Sequence, residues 1–106
     1  MTPVADAPET PVHYGLRMYV AGSTSRSLLA IKNIEKICER YLPGRYDLEV
    51  IDIYLNPEAA ALAQIIAAPT LVKVWPQPSR RAIGDLSDEQ KVLSALNLIR
   101  EDPDAH

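Results

Sequence analysis

The sequence predicts an α/β fold in the order βαβαββα, a central sheet flanked by helices, and three observations carry that prediction. A strand-like run, a helical stripe and a second strand-like run open the chain. A proline-initiated, alanine-rich segment follows them. Two short strand-like runs joined by a proline-bearing turn, then a capped amphipathic segment, complete the order.

The elements follow in turn. Met1 to Pro11 hold three of the nine prolines with Asp6 and Glu9, a composition that buries little, and residues 1–12 read as a flexible leader. Residues 13–102 form the domain and 103–106 a tail. Gly15 to Ala21 is rich in strand formers and stops at Gly22, which suits a first, central strand ending in a sharp turn. Between Ser27 and Leu42, Leu28, Ile31, Ile34, Cys38 and Tyr41 recur at helical spacing until Pro43-Gly44. Tyr46 to Tyr54 reads as the second strand. Asn56-Pro57-Glu58 supplies an N-cap, a proline at the first helical position and an acid at the positive dipole end, so a helix runs from there to about Ile66. Ala68-Pro69 breaks it. Thr70 to Trp75 and Arg80 to Ile83 read as a hairpin around Pro76 to Ser79. Ser87 and Gln90 have capping-box spacing, and Val92, Leu93, Leu96 and Ile99 give the last helix its buried face. This order is the thioredoxin-like arrangement.

Composition narrows the function. The chain has 106 residues, 47% hydrophobic and 24% charged, which fits one packed domain. Formal net charge is −3 with no long basic run, so nucleic acid is not an expected partner. No stretch has the roughly 18 to 20 apolar residues of a membrane span, and the N-terminus lacks the regions of a signal peptide. The expected location is the cytosol.

A thioredoxin-like strand–helix junction raises the question of a redox cysteine. Gly22 to Ser27 occupies that place with hydroxyls, which do not replace a thiolate at neutral pH. The one cysteine, Cys38, falls on the apolar stripe and reads as a buried small hydrophobe. The hydroxyl cluster with Arg26 reads as helix capping rather than an anion site. His13 and His106 are far apart, so no metal site is expected. Asp52 and Asp85 default to capping or solvation. Ala68-Pro69-Thr70 stands where thioredoxin-like folds keep a cis proline, and the bond is expected to be cis. Trp75 to Arg81 combines an aromatic, two prolines and two guanidinium groups in one loop, either a stiff hairpin or a recognition edge.

Several of these segments together resemble the KaiB family. They are Tyr14 to Ser27, Val50-Ile51-Asp52-Ile53, Asn56-Pro57, Ala68-Pro69-Thr70-Leu71, Pro76-x-Pro78-x-Arg80-Arg81 and Ile83-Gly84-Asp85-Leu86-Ser87, in order over about Tyr14 to Ile99. The resemblance implies a non-enzymatic regulator that docks on a KaiC-type ATPase ring in a circadian or stress-linked timing system, with KaiA or a KaiC-linked histidine kinase as further partners and no cofactor. It also implies two folds: the thioredoxin-like binding form, and a βαββααβ ground state that associates as a dimer or tetramer. Lys73, Pro76, Pro78, Arg80 and Arg81 carry over as the binding edge. Tyr14, Pro69, Gly84, Asp85 and Ala95 carry over as the fold-switch region. At Ala95 the family often has glycine, and alanine favours a helix interior by about 0.8 to 1 kcal/mol. The second helix departs as well, reading Ala61-Leu62-Ala63-Gln64 where the family commonly has charges. The competing readings are a thioredoxin-like thiol oxidoreductase and a KaiC-binding sensor module.

Overall fold

A computed structural model of the chain describes residues 12–98, so residues 1–11 of the expected leader, residues 99–102 of the expected domain and the tail lie outside the described residues. The elements are β1 (Tyr14–Val20), α1 (Ser25–Tyr41), β2 (Tyr46–Asp52), α2 (Pro57–Leu62), β3 (Thr70–Trp75), β4 (Arg80–Ile83) and α3 (Glu89–Leu96). They are the seven expected elements in the expected order. The sheet runs β2-β1-β3-β4. β1 pairs parallel with β2, from Tyr14 opposite Tyr46 to Val20 opposite Asp52. It pairs antiparallel with β3, and β3 with β4.

Alternation along β1 sorts the two faces. Leu16, Met18 and Val20 point into the core with Leu71 of β3, and Ile34, Ile37 and Cys38 of α1 and Val92, Leu93 and Leu96 of α3 close over them. The buried face of α1 is Ser27, Ala30, Ile34, Ile37 and Cys38. The expected stripe is therefore rotated at its start: Leu28 is 54% exposed, and the small Ser27 and Ala30 turn inward. Small residues fit there because the helix begins against the turn after β1, where Ser27 Oγ accepts from Ala21 N at 3.3 Å. Thr24 caps the helix by accepting from Ser27 N at 3.2 Å, as the hydroxyl cluster led one to expect.

The other helices end sooner than expected, for one reason. α2 stops at Leu62 rather than near Ile66, because Gln64 is left-handed (φ 57) and Gln64 N and Ile65 N bond back to Ala61 O and Ala60 O. α3 stops at Leu96 rather than continuing to Ile99. Asn97 is left-handed (φ 54), and Asn97 N and Leu98 N return to Ser94 O and Leu93 O. Both are Schellman closures, and the second buries Leu98 against the core. The start of α3 also differs: Asp88 caps it through Lys91 N at 3.2 Å, displacing the expected Ser87 by one residue. Asn56 precedes α2 without a side-chain cap bond. The Ala68–Pro69 bond is cis, as expected, and so are Trp75–Pro76 and Gln77–Pro78.

One contact ties the far end of α1 to β2. The Tyr46 hydroxyl donates to Glu39 Oε2 at 2.6 Å, and this bond, helped by burial, pushes the Tyr46 phenol up to about 12 from 10. The folded chain therefore holds this proton longer than the unfolded one. The stabilisation is complete below about pH 10 and is lost as pH rises towards 12. In an ultraviolet titration, Glu39→Gln is expected to return one of the five tyrosines towards 10. An unchanged titration would reject the assignment.

Among the described residues no helix is long and apolar enough to cross a membrane.

Candidate functional site

The β3–β4 hairpin starts in the centre of the sheet and ends in solvent. Leu71 is fully buried, whereas Gln77 to Arg81 are exposed without interruption. Pro76 is half-buried and Pro78 exposed. Proline at alternate positions removes backbone donors from the tip and fixes φ, so the tip is held in shape at little cost in chain entropy.

Strand alternation then separates the three cations. Lys73 lies opposite Arg80 and Val72 opposite Arg81, so Arg80 and Arg81 project from opposite faces. Arg81 reaches over α2: its Nη1 donates to Gln64 O at 2.9 Å and its Nη2 to Ala63 O. It thereby satisfies carbonyls that the end of a helix leaves without partners. Arg80 has no ion-pair or hydrogen-bond partner among the described residues. Lys73 is only 1% exposed, on the helix-covered face beside Leu16. Burial, with Arg80 beside it, lowers its ammonium from the usual range. Of the five expected edge residues, the structure thus presents Pro78, Arg80 and Arg81, half-covers Pro76 and encloses Lys73.

Four of the five expected switch residues gather where β4 leaves the sheet. Gly84 N donates to Pro69 O at 3.0 Å, joining the end of β4 to the bend before β3. Gly84 has φ +113, a region open almost only to glycine. Asp85 accepts from Ser87 N at 3.0 Å, and its own carbonyl accepts from Asn33 Nδ2 at 2.7 Å. The Ser87 hydrogen bonds, with a contribution from Arg26, hold the Asp85 carboxyl below its usual value. Ala95 lines the same cleft of about 540 Å³ as Gly84 and Asp85. Tyr14 stands apart, starting β1 and packing on the core.

Two residues of this junction were given no role of their own in the sequence reading. Leu86 is left-handed (φ 62) and 5% exposed, so its burial offsets a backbone cost of about 1 to 3 kcal/mol. Asn33 is a polar residue on the flank of α1, and its reach to a loop 52 residues away left no mark in the sequence. Asp52 has a local task, accepting from Gly22 N and Tyr54 N at 3.3 and 2.9 Å. Cys38 is fully buried, and burial, then the Glu39 and Glu35 charges, pushes its thiol up to about 12. A thiol of that kind supplies no thiolate for exchange at neutral pH. Among the described residues no cluster of three His, Cys, Asp or Glu could hold a metal ion. Around α2, Leu55, Leu62 and Ile66 are 77%, 87% and 92% exposed, an apolar surface on the helix where the sequence lacks charges.

A family model described as the KaiB domain matches residues 17–98. The circadian clock oscillator protein KaiB of Microcystis aeruginosa is 48% identical over 89 residues, 84% of this chain and 86% of that protein. That of Trichodesmium erythraeum is 47% identical over the same shares. Among solved structures, the N-terminal domain of Synechococcus elongatus SasA superposes with TM-score 0.65 at 20% identity, over 88% of this chain and 91% of that one. Mitochondrial thioredoxin 3 from Saccharomyces cerevisiae superposes with TM-score 0.66 at 12% identity, over 91% and 88%. At such identities these two likenesses concern the thioredoxin-like fold alone.

Proposed function

The chain belongs to the KaiB family, and from that premise we propose that it is a non-enzymatic regulator that binds a KaiC-type ATPase ring through the tip of its β3–β4 hairpin. The observation that supports this most is the continuous exposure of Gln77 to Arg81 on a turn stiffened by prolines. A rigid turn loses little entropy on docking, and Arg80, with no partner among the described residues, is ready to give its hydrogen bonds to another protein. Lys73 serves from beneath, its charge helping to keep Arg80 turned outward. The apolar surface at Leu55, Leu62 and Ile66 adds contact area, and its share of the binding is less sensitive to salt than an ion-paired surface.

The same reading places the chain in the cytosol, with KaiA or a KaiC-linked histidine kinase meeting it on the ring. It also includes a second state, a βαββααβ form that self-associates, reached by rearranging the half after β2. Tyr14, Pro69, Gly84, Asp85 and Ala95 then act as the switch region. Ala95 is exposed and one residue from the end of α3, so its helix preference contributes at most about 1 kcal/mol.

Purified chain and its cognate KaiC-type ring are expected to co-elute in size-exclusion chromatography, with an amount that depends on the nucleotide bound. Separate elution with ATP and with ADP alike would refute ring binding.

A further inference from the structure

Among the described residues β4 is an outer strand of the sheet, with β3 on one side and no strand on the other. One hydrogen bond tells which of its backbone groups face outward. Gly84 N donates to Pro69 O, so along the antiparallel ladder Gly84–Pro69, Ala82–Leu71 and Arg80–Lys73 are the hydrogen-bonded pairs, and Arg81 and Ile83 stand between them. The N–H and C=O groups of Arg81 and Ile83 therefore point away from β3, and they have no partner among the described residues. Sheet edges are commonly guarded by charged side chains. Here the guard is turned aside, because Arg81 folds over the end of α2 and leaves Ile83 60% exposed. Beside this edge lies the cleft of about 540 Å³, whose other wall is α3 with Lys91, Val92 and Ala95.

We propose that the free edge of β4 takes up an extended segment of another protein as a new outer antiparallel strand, and that this segment reads apolar, apolar, any residue, acid. Register assigns each position. An apolar residue opposite Ile83 covers that side chain, and the next one, opposite Ala82, points to the other face, into the cleft against Val92 and Ala95. The residue opposite Arg80 shares that second face. It is the acid, because Arg80, Arg26 and Lys91 have no ion-pair partner among the described residues. The carboxylates at the cleft, Asp85 and Asp88, are already engaged with Ser87 N and Lys91 N. Charge also decides against a second copy of this chain. Antiparallel pairing of β4 with itself would crowd Arg80 and Arg81 of both chains along one short seam. In such strand addition main-chain bonds supply affinity and the cleft supplies selectivity. The inference does not rest on ring binding, and its test leaves the hairpin tip, Arg80 included, unaltered.

The probe is a synthetic peptide, Ser-Val-Leu-Thr-Glu-Ser, blocked at both ends and added to the full-length chain. Amide exchange followed by NMR is expected to be fast at Arg81 and Ile83 in the free chain and to slow at least about tenfold at both with saturating peptide. Ile83→Pro removes an outward N–H without touching the bonds to β3, and should weaken the peptide at least about tenfold, whereas Ile83→Val should bind as the parent does. Lys91→Glu tests the charge without risk to the fold, since an acid suits the first turn of α3, and should weaken the peptide at least about threefold. Amides protected before peptide is added, or peptide that leaves their exchange unchanged, overturns the proposal. So does equal binding by parent, Ile83→Pro and Lys91→Glu. Protection that grows with protein concentration alone overturns it too, because the edge would then pair with a second copy.

Discussion

Arg80→Glu is expected to weaken binding to the KaiC-type ring by about thirtyfold while leaving the domain as stable as before or slightly more so. Arginines at the centre of an interface commonly contribute 2 kcal/mol or more, which corresponds to about that factor. The stability effect has the other sign because of register. Arg80 lies opposite the buried Lys73, and two like charges directly across a sheet destabilise it. A glutamate there offers Lys73 a counter-charge. Arg81→Glu should differ. It removes the guanidinium that holds Ala63 O and Gln64 O at the end of α2, and stability should fall by about 1 kcal/mol together with any loss of binding. Urea unfolding and ring titration on both variants separate the two cases. If Arg80→Glu binds with unchanged affinity, the interface is elsewhere.

Gly84→Ala is expected to destabilise the thioredoxin-like state by about 1 to 3 kcal/mol. A Cβ at Gly84 would stand 3.5 Å from Arg26 Nη2, an ordinary contact, so steric crowding is not the cause. The cause is φ +113, which an L side chain rarely adopts. Relaxing that angle would move the Gly84 N–H away from Pro69 O and the Asp85 carbonyl away from Asn33. If the chain has a second fold, the ratio of the two states should shift by about 5- to 150-fold against the form described here. The measurement is the urea midpoint at constant m-value. An unchanged midpoint would mean that the junction absorbs the side chain without strain.

Much of this fold was legible because local signals agree with the tertiary result. β1, β3 and β4 lie within a residue of their expected positions, and the cis bond before Thr70 stands where the strand–helix order places it. The failures share a physical origin. Gln64 and Asn97 become left-handed where backbone N–H groups close on the last carbonyls of α2 and α3, and neither residue announces that conformation as strongly as glycine would. Ser87 and Asp88 are both good caps, and Asp85 decides between them by accepting from Ser87 N. The site was legible in part. Consecutive arginines suggested one binding edge, yet alternation across β4 assigns one to solvent and the other to α2. Lys73 looked like surface because its burial depends on Leu16 of a strand distant in sequence. The free edge of β4 follows from the sheet order, which the spacing of residues did not reveal.

The sheet order also sets a timetable for synthesis. β1 is central, with β2 on one side and β3 on the other, but the chain delivers β2 first. At the usual 5 to 20 residues per second, residues 53–75 take about 1 to 5 seconds to emerge. Throughout that interval the nascent β1 has one edge paired and the other bare, with Leu16 and Met18 covered only by α1. The ribosome-bound half therefore resembles an unfinished sheet, open to any strand that arrives before β3.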